Sequence, residues 1–348
     1  MIAGTYGGSF YTSNNSANTW YVYNNPQTIQ AIWNSVTVSG TGQYMMAGGS
    51  SGLWLSSNNG NSFIQPTTLN TITTWQSVAI SSNGTFMVAS LCCGSGGANG
   101  GIYYSTNAGI AWSQSQSASL QGNWVSIATN TNGSYMYAIN SITGTFNKTG
   151  VVFVSSNHGN TWIQSSAPID RNFKELAVSS SGQFVAIVST YDGISISSNY
   201  GSTWTTASGS YNISWNDIIT DSTGQYYLAV GDNSTTYSSY NFGASFINNN
   251  PTSTLGDATG ISSNGSFGFI VISTSNSGSN SPAGIYKSTN WLYLQPTQAP
   301  TPQPTTVSPN SHRSNYLIII CSVVVVVAVV ILAGMLHCNY ITLHHNEF

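Results

Sequence analysis

One eight-residue phrase recurs along most of the chain and limits its possible folds more than any other feature. Residues 56–63 read SSNNGNSF, 105–112 STNAGIAW, 155–162 SSNHGNTW, 197–204 SSNYGSTW and 239–246 SYNFGASF. A looser copy, SNNSANTW, fills 13–20 with Ala17 at the Gly position, and a broken one begins Ser288-Thr289-Asn290. Successive copies start 42 to 50 residues apart. A second phrase precedes most of them: Trp33-Asn34-Ser35-Val36, then Gly42. It returns as Trp75-Gln76-Ser77-Val78 with Gly84, Trp124-Val125-Ser126-Ile127 with Gly133, and Phe173-Lys174-Glu175-Leu176 with Gly182. Trp215-Asn216-Asp217-Ile218 with Gly224 and Gly256-Asp257-Ala258-Thr259 with Gly265 complete the series. A fixed period of this length marks a repeat architecture.

Within each unit the pattern is β. Short runs of Val, Ile, Tyr, Phe and Trp are separated by Ser/Asn/Gly turns, and helical periodicity is missing. One unit reads as four strands: TTWQSVAIS, TFMVASL, GGIYYST and IAWSQS. Four short strands per period of this length predict a propeller blade. The expected architecture is an all-β, seven-bladed β-propeller over 1–294. Its blades fall at about 1–20, 33–63, 75–112, 124–162, 173–204, 215–246 and 256–294, the first incomplete. The box has its own local logic. Its Asn is expected to accept a hydrogen bond from the amide two residues on, closing an Asx-turn. Its Gly supplies positive φ for a tight hairpin, and its Trp or Phe places a large apolar face between sheets.

These S-x-N-x-G-x-T-W boxes resemble the S-x-D-x-G-x-T-W Asp-box of the bacterial-neuraminidase repeat (BNR) family. That family includes sialidases, xyloglucanase-type glycoside hydrolases, sortilin-like receptors and photosystem II assembly propellers. The likeness runs over about 4–294 and implies a propeller, while leaving function open. Here Asn15, Asn58, Asn107, Asn157, Asn199, Asn241 and Asn290 stand where the family usually has Asp. Asn keeps the acceptor and loses the charge.

The chain opens inside a repeat: Met1-Ile2-Ala3-Gly4 aligns on Met45-Met46-Ala47-Gly48, the second strand of a blade. The expectation is that an upstream strand and a signal peptide precede Met1. Nothing at the start of this sequence has a basic n-region and a long apolar h-region.

At the other end, 316–336 (YLIIICSVVVVVAVVILAGML) carries no formal charge. Such a run spans a hydrocarbon core of roughly 30 Å as a helix, so a single C-terminal transmembrane helix is expected. Residues 295–314 form a Pro/Thr-rich stalk, and 337–348 a short tail. Arg313 precedes the run and no Lys or Arg follows it. The positive-inside rule then points weakly to a cytosolic N-terminal side, the tail-anchored alternative, whereas the expected arrangement has the propeller outside the cell or in a lumen. Seven N-x-S/T sequons, at Asn14, Asn83, Asn132, Asn147, Asn212, Asn233 and Asn264, permit a glycoprotein. They are no more than this composition gives by chance.

Charge narrows the function. The chain has 5 Lys+Arg and 8 Asp+Glu in 348 residues, 4% charged, against about 25% in ordinary domains. Nucleic-acid binding needs a basic footprint, which five residues and a net charge of −3 do not supply. No Gly-rich phosphate motif implies a nucleotide cofactor, and no Cys/His spacing implies a metal. The four cysteines are too few for a disulfide scaffold. Cys92-Cys93 fit a vicinal disulfide or free thiols, Cys321 lies in the span, and Cys338 just beyond it is open to palmitoylation.

Three units are longer than the rest, with their extra residues between the second and third strands at 91–101, 140–150 and 272–284. In a four-stranded blade these loops share one face with the blade-to-blade connections, and loops on a rigid scaffold commonly carry the site. Lys148, Asp170, Arg171, Asp192 and Asp232 fall in loops assigned to that face and form the candidate ligand-binding set. No residue is expected to be catalytic. A sialidase-like site needs an Arg cluster, and only Arg171 and Arg313 exist. A two-carboxylate mechanism has Asp170, Asp192, Asp217, Asp221, Asp232 and Asp257 to draw on, but no motif pairs them. Asp217 and Asp221 are read as turn residues. The reading is a non-catalytic, membrane-anchored recognition or display module for neutral glycan or protein. Its alternatives are a glycoside hydrolase-like enzyme and a tail-anchored intracellular assembly factor.

Overall fold

A computed structural model of the chain describes residues 2–249 apart from 4–7, 15–18, 24–30, 73, 92–99, 117–121, 144–147, 169–170 and 232–235. Beyond 249 it describes the backbone of 258–261, 268–272, 284–288, 314–317, 330–331 and 342–345.

The chain folds into a succession of antiparallel meanders. The first has β1 (Ile2–Ala3), β2 (Tyr11–Thr12) and β3 (Tyr21–Val22); the second has β4 (Trp33–Val38), β5 (Met45–Gly49) and β6 (Gly52–Ser56). A bridge between Leu55 and Ile64 takes the place of a fourth strand there. Next come β7 (Trp75–Ile80), β8 (Met87–Leu91), β9 (Ile102–Ser105) and β10 (Ser113–Gln114). Then follow β11 (Trp124–Thr129), β12 (Met136–Thr143), β13 (Lys148–Ser155) and β14 (Ile163–Gln164). The fifth sheet has β15 (Phe173–Val178), β16 (Val185–Ser189), β17 (Gly193–Ser197) and β18 (Thr205–Thr206). The sixth has β19 (Trp215–Thr220), β20 (Tyr227–Gly231), β21 (Thr236–Ser239) and β22 (Ile247–Asn248). The backbone of β23 (Ala258–Ile261), β24 (Gly268–Ile272) and β25 (Gly284–Ser288) forms a further sheet. First strands touch in sequence, β4 with β7, β7 with β11, β11 with β15, β15 with β19 and β19 with β23. They form the inner edge of the assembly.

The core lies between sheets. Strand alternation divides each second strand between two neighbours: Met136 and Ala138 pack with Trp124, Val88 and Ile102, while Tyr137 and Ile139 pack with Phe173, Val185 and Ile187. Both faces are buried, so these strands are apolar throughout, as strands covered on both sides must be. Trp33, Trp75, Trp124 and Trp215 open four of the first strands and are fully buried. Their indole N–H groups donate to the carbonyls of Gly8, Ile72, Gly100 and Ser210 respectively.

Each described box is the turn from third to fourth strand, as expected, but its wiring differs from the predicted Asx-turn. Ser155 Oγ donates to Asn157 Oδ1 (3.0 Å) and accepts from Gly159 N (3.0 Å). Asn157 Oδ1 accepts from Thr161 N, four residues on, at 2.9 Å, and Asn157 Nδ2 donates to Thr161 Oγ1 at 2.8 Å. The box serine therefore takes the amide assigned to the asparagine. The reason is the backbone. Both central residues are left-handed, His158 at φ 60° and Gly159 at 86°, with Asn160 N closing on Asn157 O at 3.3 Å. That is the pattern of a type I′ turn, and it swings the later amide over the side chain. Asn58, Asn199 and Asn241 repeat the whole set, whereas Asn107 lacks the hydroxyl partner because Ala111 follows it. Asn15 and Asn290 lie outside the described residues.

Box turns and first-to-second-strand turns share one face: the amides of Asn59, Ala108, Tyr200 and Phe242 bond to the carbonyls of Gln43, Thr85, Gln183 and Gln225. Backbone links also join successive sheets there, Gly40 N to Ser82 O, Ser82 N to Thr131 O, Thr131 N to Ser180 O and Ser180 N to Ser222 O. Rings interlock along the same face. Phe86 stacks on His158 of the next box at 3.9 Å, Tyr135 on Tyr200 at 4.6 Å, and Phe184 packs on Phe242 at 4.8 Å.

The expected transmembrane helix is not visible as one. Most of 316–336 lies outside the described residues, and what is described there is extended: β26 (Ser314–Leu317) pairs with β27 (Val330–Ile331) and with β28 (Thr342–His345). Among the described residues no helix is long and apolar enough to cross a membrane.

Candidate functional site

The face opposite the boxes carries the connections from second to third strand and from sheet to sheet. Of the expected ligand set, Asp170 and Asp232 lie outside the described residues, and Lys148 is described by backbone alone, opening β13 opposite Thr143. Arg171 and Asp192 are in place and half-buried. The guanidinium of Arg171 donates to Ser195 Oγ at 2.9 Å and Thr206 Oγ1 at 3.0 Å, hydroxyls on the paired strands β17 and β18. These bonds anchor the connection leading into β15.

Around Asp192 three connections are stitched together. Thr190 N donates to Asn172 O at 3.0 Å, Tyr191 N to Ile213 O at 2.9 Å, and Asn212 N to Tyr191 O at 3.3 Å. Ile194 N adds a bond to Ser210 Oγ at 3.0 Å. On this base stand Tyr191, 58% exposed, and Tyr211, 55% exposed. The backbone is left-handed at Tyr191 (φ 64°) and at Asn212 (φ 61°). A bulky side chain such as that of Tyr191 costs on the order of 1–2 kcal/mol in this conformation, whereas Asn adopts it routinely. Sequence reasoning missed both tyrosines, because their exposure follows from which connections meet and no local pattern signals it.

The second cluster lies on the inner strands. Each of β4, β7, β11, β15 and β19 carries a register shift between its first and third residues. The third residues are Ser35, Ser77, Ser126, Glu175 and Asp217. Asp217 thus sits on an inner strand, which corrects its reading as a turn residue: the bulge adds a residue and keeps the strand going past it. Asp221 is a turn residue as expected, accepting from Tyr226 N at 3.0 Å and Thr223 Oγ1 at 2.7 Å. Glu175 accepts from Ser126 Oγ and from Leu176 N (3.0 Å). Burial, and then the nearby Asp217 charge, push its carboxyl up to about 7, against the lowering effect of these two hydrogen bonds. Glu175 was not among the expected site residues. The signal was present in the aligned second phrase, where a run of Ser gives way to Glu and Asp.

No protein-family profile matches the chain, and no curated protein matches it. Solved structures do. The structure of YCF48 bound to D1 peptide superposes with a TM-score of 0.56 at 13% identity, over 77% of this chain and 85% of that one. A GH74 enzyme from Niastella koreensis has a TM-score of 0.38 at 16% identity, over 82% of this chain and 59% of its own. The GH74 xyloglucanase from Xanthomonas campestris has 0.42 at 13%, over 83% and 55%. The chain therefore matches little more than half the length of either GH74 protein. With its four-stranded antiparallel sheets, the likeness to YCF48 establishes a β-propeller fold.

Proposed function

We propose that the chain is a non-catalytic recognition module: a seven-bladed propeller of BNR type, with Asn in place of the box Asp, held at a membrane by 316–336 on the 295–314 stalk. Its ligand is an uncharged glycan. The observation that carries this reading is the exposure of Tyr191 and Tyr211 on two connections that backbone hydrogen bonds join, taken as an aromatic platform on the connection face. Tyrosine offers a large, rigid surface with a polar tip at little entropic cost. In a chain with 4% charged residues, recognition rests on such surfaces and on hydrogen bonds rather than on charge steering.

The test is a glycan array probed with the full chain in detergent, including a readout for released reducing ends. Binding to neutral glycans is expected, falling at least about tenfold in Tyr191→Ala and in Tyr211→Ala, as for hot-spot aromatics. Binding unchanged in both variants would remove the platform from the reading. An array without signal, with capture of extended peptides instead, would replace glycan by protein; the YCF48 likeness favours that second reading, since its structure holds a peptide. Turnover of a glycan would replace both with a hydrolase, for which the neighbouring carboxyls of Glu175 and Asp217 supply the motive.

The anchor is tested separately. The full chain expressed in eukaryotic cells is expected to stay in the membrane pellet through alkaline carbonate and to shift on glycosidase treatment, placing the propeller outside the cell or in a lumen. Release into the supernatant would remove the membrane span. Retention without a shift would favour the tail-anchored, cytosolic arrangement.

A further inference from the structure

At two inner joints the third residue of one first strand accepts the amide of the next sheet's fourth residue. Val78 N donates to Ser35 Oγ at 3.2 Å and Ile127 N to Ser77 Oγ at 3.1 Å. The next joint is built differently. Leu176 N, the equivalent donor, turns back to Glu175 Oε1 of its own strand, and Ser126 Oγ reverses role and donates to that same oxygen. A carboxyl has replaced a hydroxyl at the bond between two sheets. One sheet further on, the equivalent position is Asp217, on β19, which packs against β15.

We propose that Glu175 and Asp217 form a pH-operated joint across three consecutive sheets, closed while the pair holds a proton and loosened between β15 and β19 when it is lost. Few other charges face this joint. Among the neighbouring strands β11, β12 and β16 carry no Asp, Glu, Lys, Arg or His; Tyr137 on β12 is a phenol pushed upward by burial. Lys174 adjoins Glu175 on β15, and Asp217 is the charge contributed by β19. Two carboxylates at close quarters do not ionise together readily, and their protons belong to the pair. Held up to about 7 against an ordinary 4.5, the Glu175 carboxyl keeps its proton in the fold after the unfolded chain has lost it. The stabilisation is therefore complete below about 4.5 and lost as pH rises through about 7.

The full chain in detergent is melted at intervals from pH 4.5 to 8.5, with amide protection factors read at Leu176 and Ile218. The wild-type midpoint is expected to fall across pH 5–8, and protection at Ile218 to drop about tenfold or more, as a shift of one pKa unit or greater implies, while Leu176, bonded to the Glu175 carboxyl itself, keeps its protection. Glu175→Gln keeps the acceptor oxygen and is expected to flatten both curves. Asp217→Asn is expected to move the fall to lower pH. Should Glu175→Gln fail to fold, Glu175→Ser restores the hydroxyl joint of the earlier sheets and is read in the same way. A fall in the variants equal to the wild type, or constant protection at Ile218 throughout, overturns the proposal. No ligand enters this experiment, so its outcome is independent of what the connection face binds.

Discussion

Trp124→Ala is expected to cost about 3–5 kcal/mol in thermal unfolding of the full chain, the range for truncating a buried aromatic. Trp124 is 1% exposed and lies in a layer shared by two sheets, with Ile102 and Val88 from one and Phe153 and Trp162 from the other. Its ring meets Phe153 edge-on with centroids 5.7 Å apart, and its indole N–H donates to Gly100 O at 2.8 Å. Alanine leaves a cavity that neither sheet can close alone, and deprives a carbonyl of its donor. Whole domains are stable by only about 5–15 kcal/mol, so the melting transition should move down markedly. Trp204→Ala, at a half-buried box tryptophan, is expected to cost clearly less. Equal losses in the two variants would mean that the layers between sheets are not the main source of stability.

The second large effect is expected at a glycine. Gly133 has φ +76°, and a Cβ there would lie 2.5 Å from Cβ of Phe86 and 2.6 Å from its ring. Phe86 has no room to retreat, because its other neighbour is the His158 ring stacked at 3.9 Å, and His158 Nδ1 is held to Gly133 O at 3.0 Å. Gly133→Ala is expected to cost about 1–2 kcal/mol for the left-handed backbone and a further ~1–3 kcal/mol for overpacking. Gly42 isolates the second part. It has φ +79° at the equivalent turn, but nothing stands within 4 Å of its Cβ position. Gly42→Ala should therefore show the backbone cost alone, and comparing the two melting curves measures the clash. Similar losses would show that the ring contacts yield without penalty.

Much of this architecture is legible in the bare sequence, for a physical reason. Each unit must bury two faces between similar neighbours, so the same apolar strand and the same turn chemistry recur at each joint. The box marks the third-to-fourth turn wherever it is described, and the phrase opening with Trp33, Trp75, Trp124 or Trp215 marks the inner strand. What stays hidden depends on contacts between units. The left-handed residue before the box glycine is Asn, Ala, His, Tyr or Phe, and the three ringed ones, His158, Tyr200 and Phe242, each pack on a ring of the preceding sheet. The guanidinium of Arg171 meets two strand hydroxyls that no local pattern announces. Asp217 looks like a turn residue because a bulge lengthens the strand without marking itself in hydrophobic pattern. Tyr191 and Tyr211 are prominent because two short connections meet beneath them.

The links from Gly40 to Ser82, Thr131, Ser180 and Ser222 all run in one direction, each sheet giving an amide to the one after it. Every unit in that series thus has a donating side and an accepting side, like a link with a hook and an eye. A unit removed or duplicated whole leaves hook still facing eye at the joint it makes. Among the described joints, the one carrying Glu175 differs, because its carboxyl is pushed up by the charge of one particular neighbour, Asp217, as well as by burial. A copy of the fifth or sixth sheet placed elsewhere in the series would keep its hook and eye but lose that carboxyl neighbour.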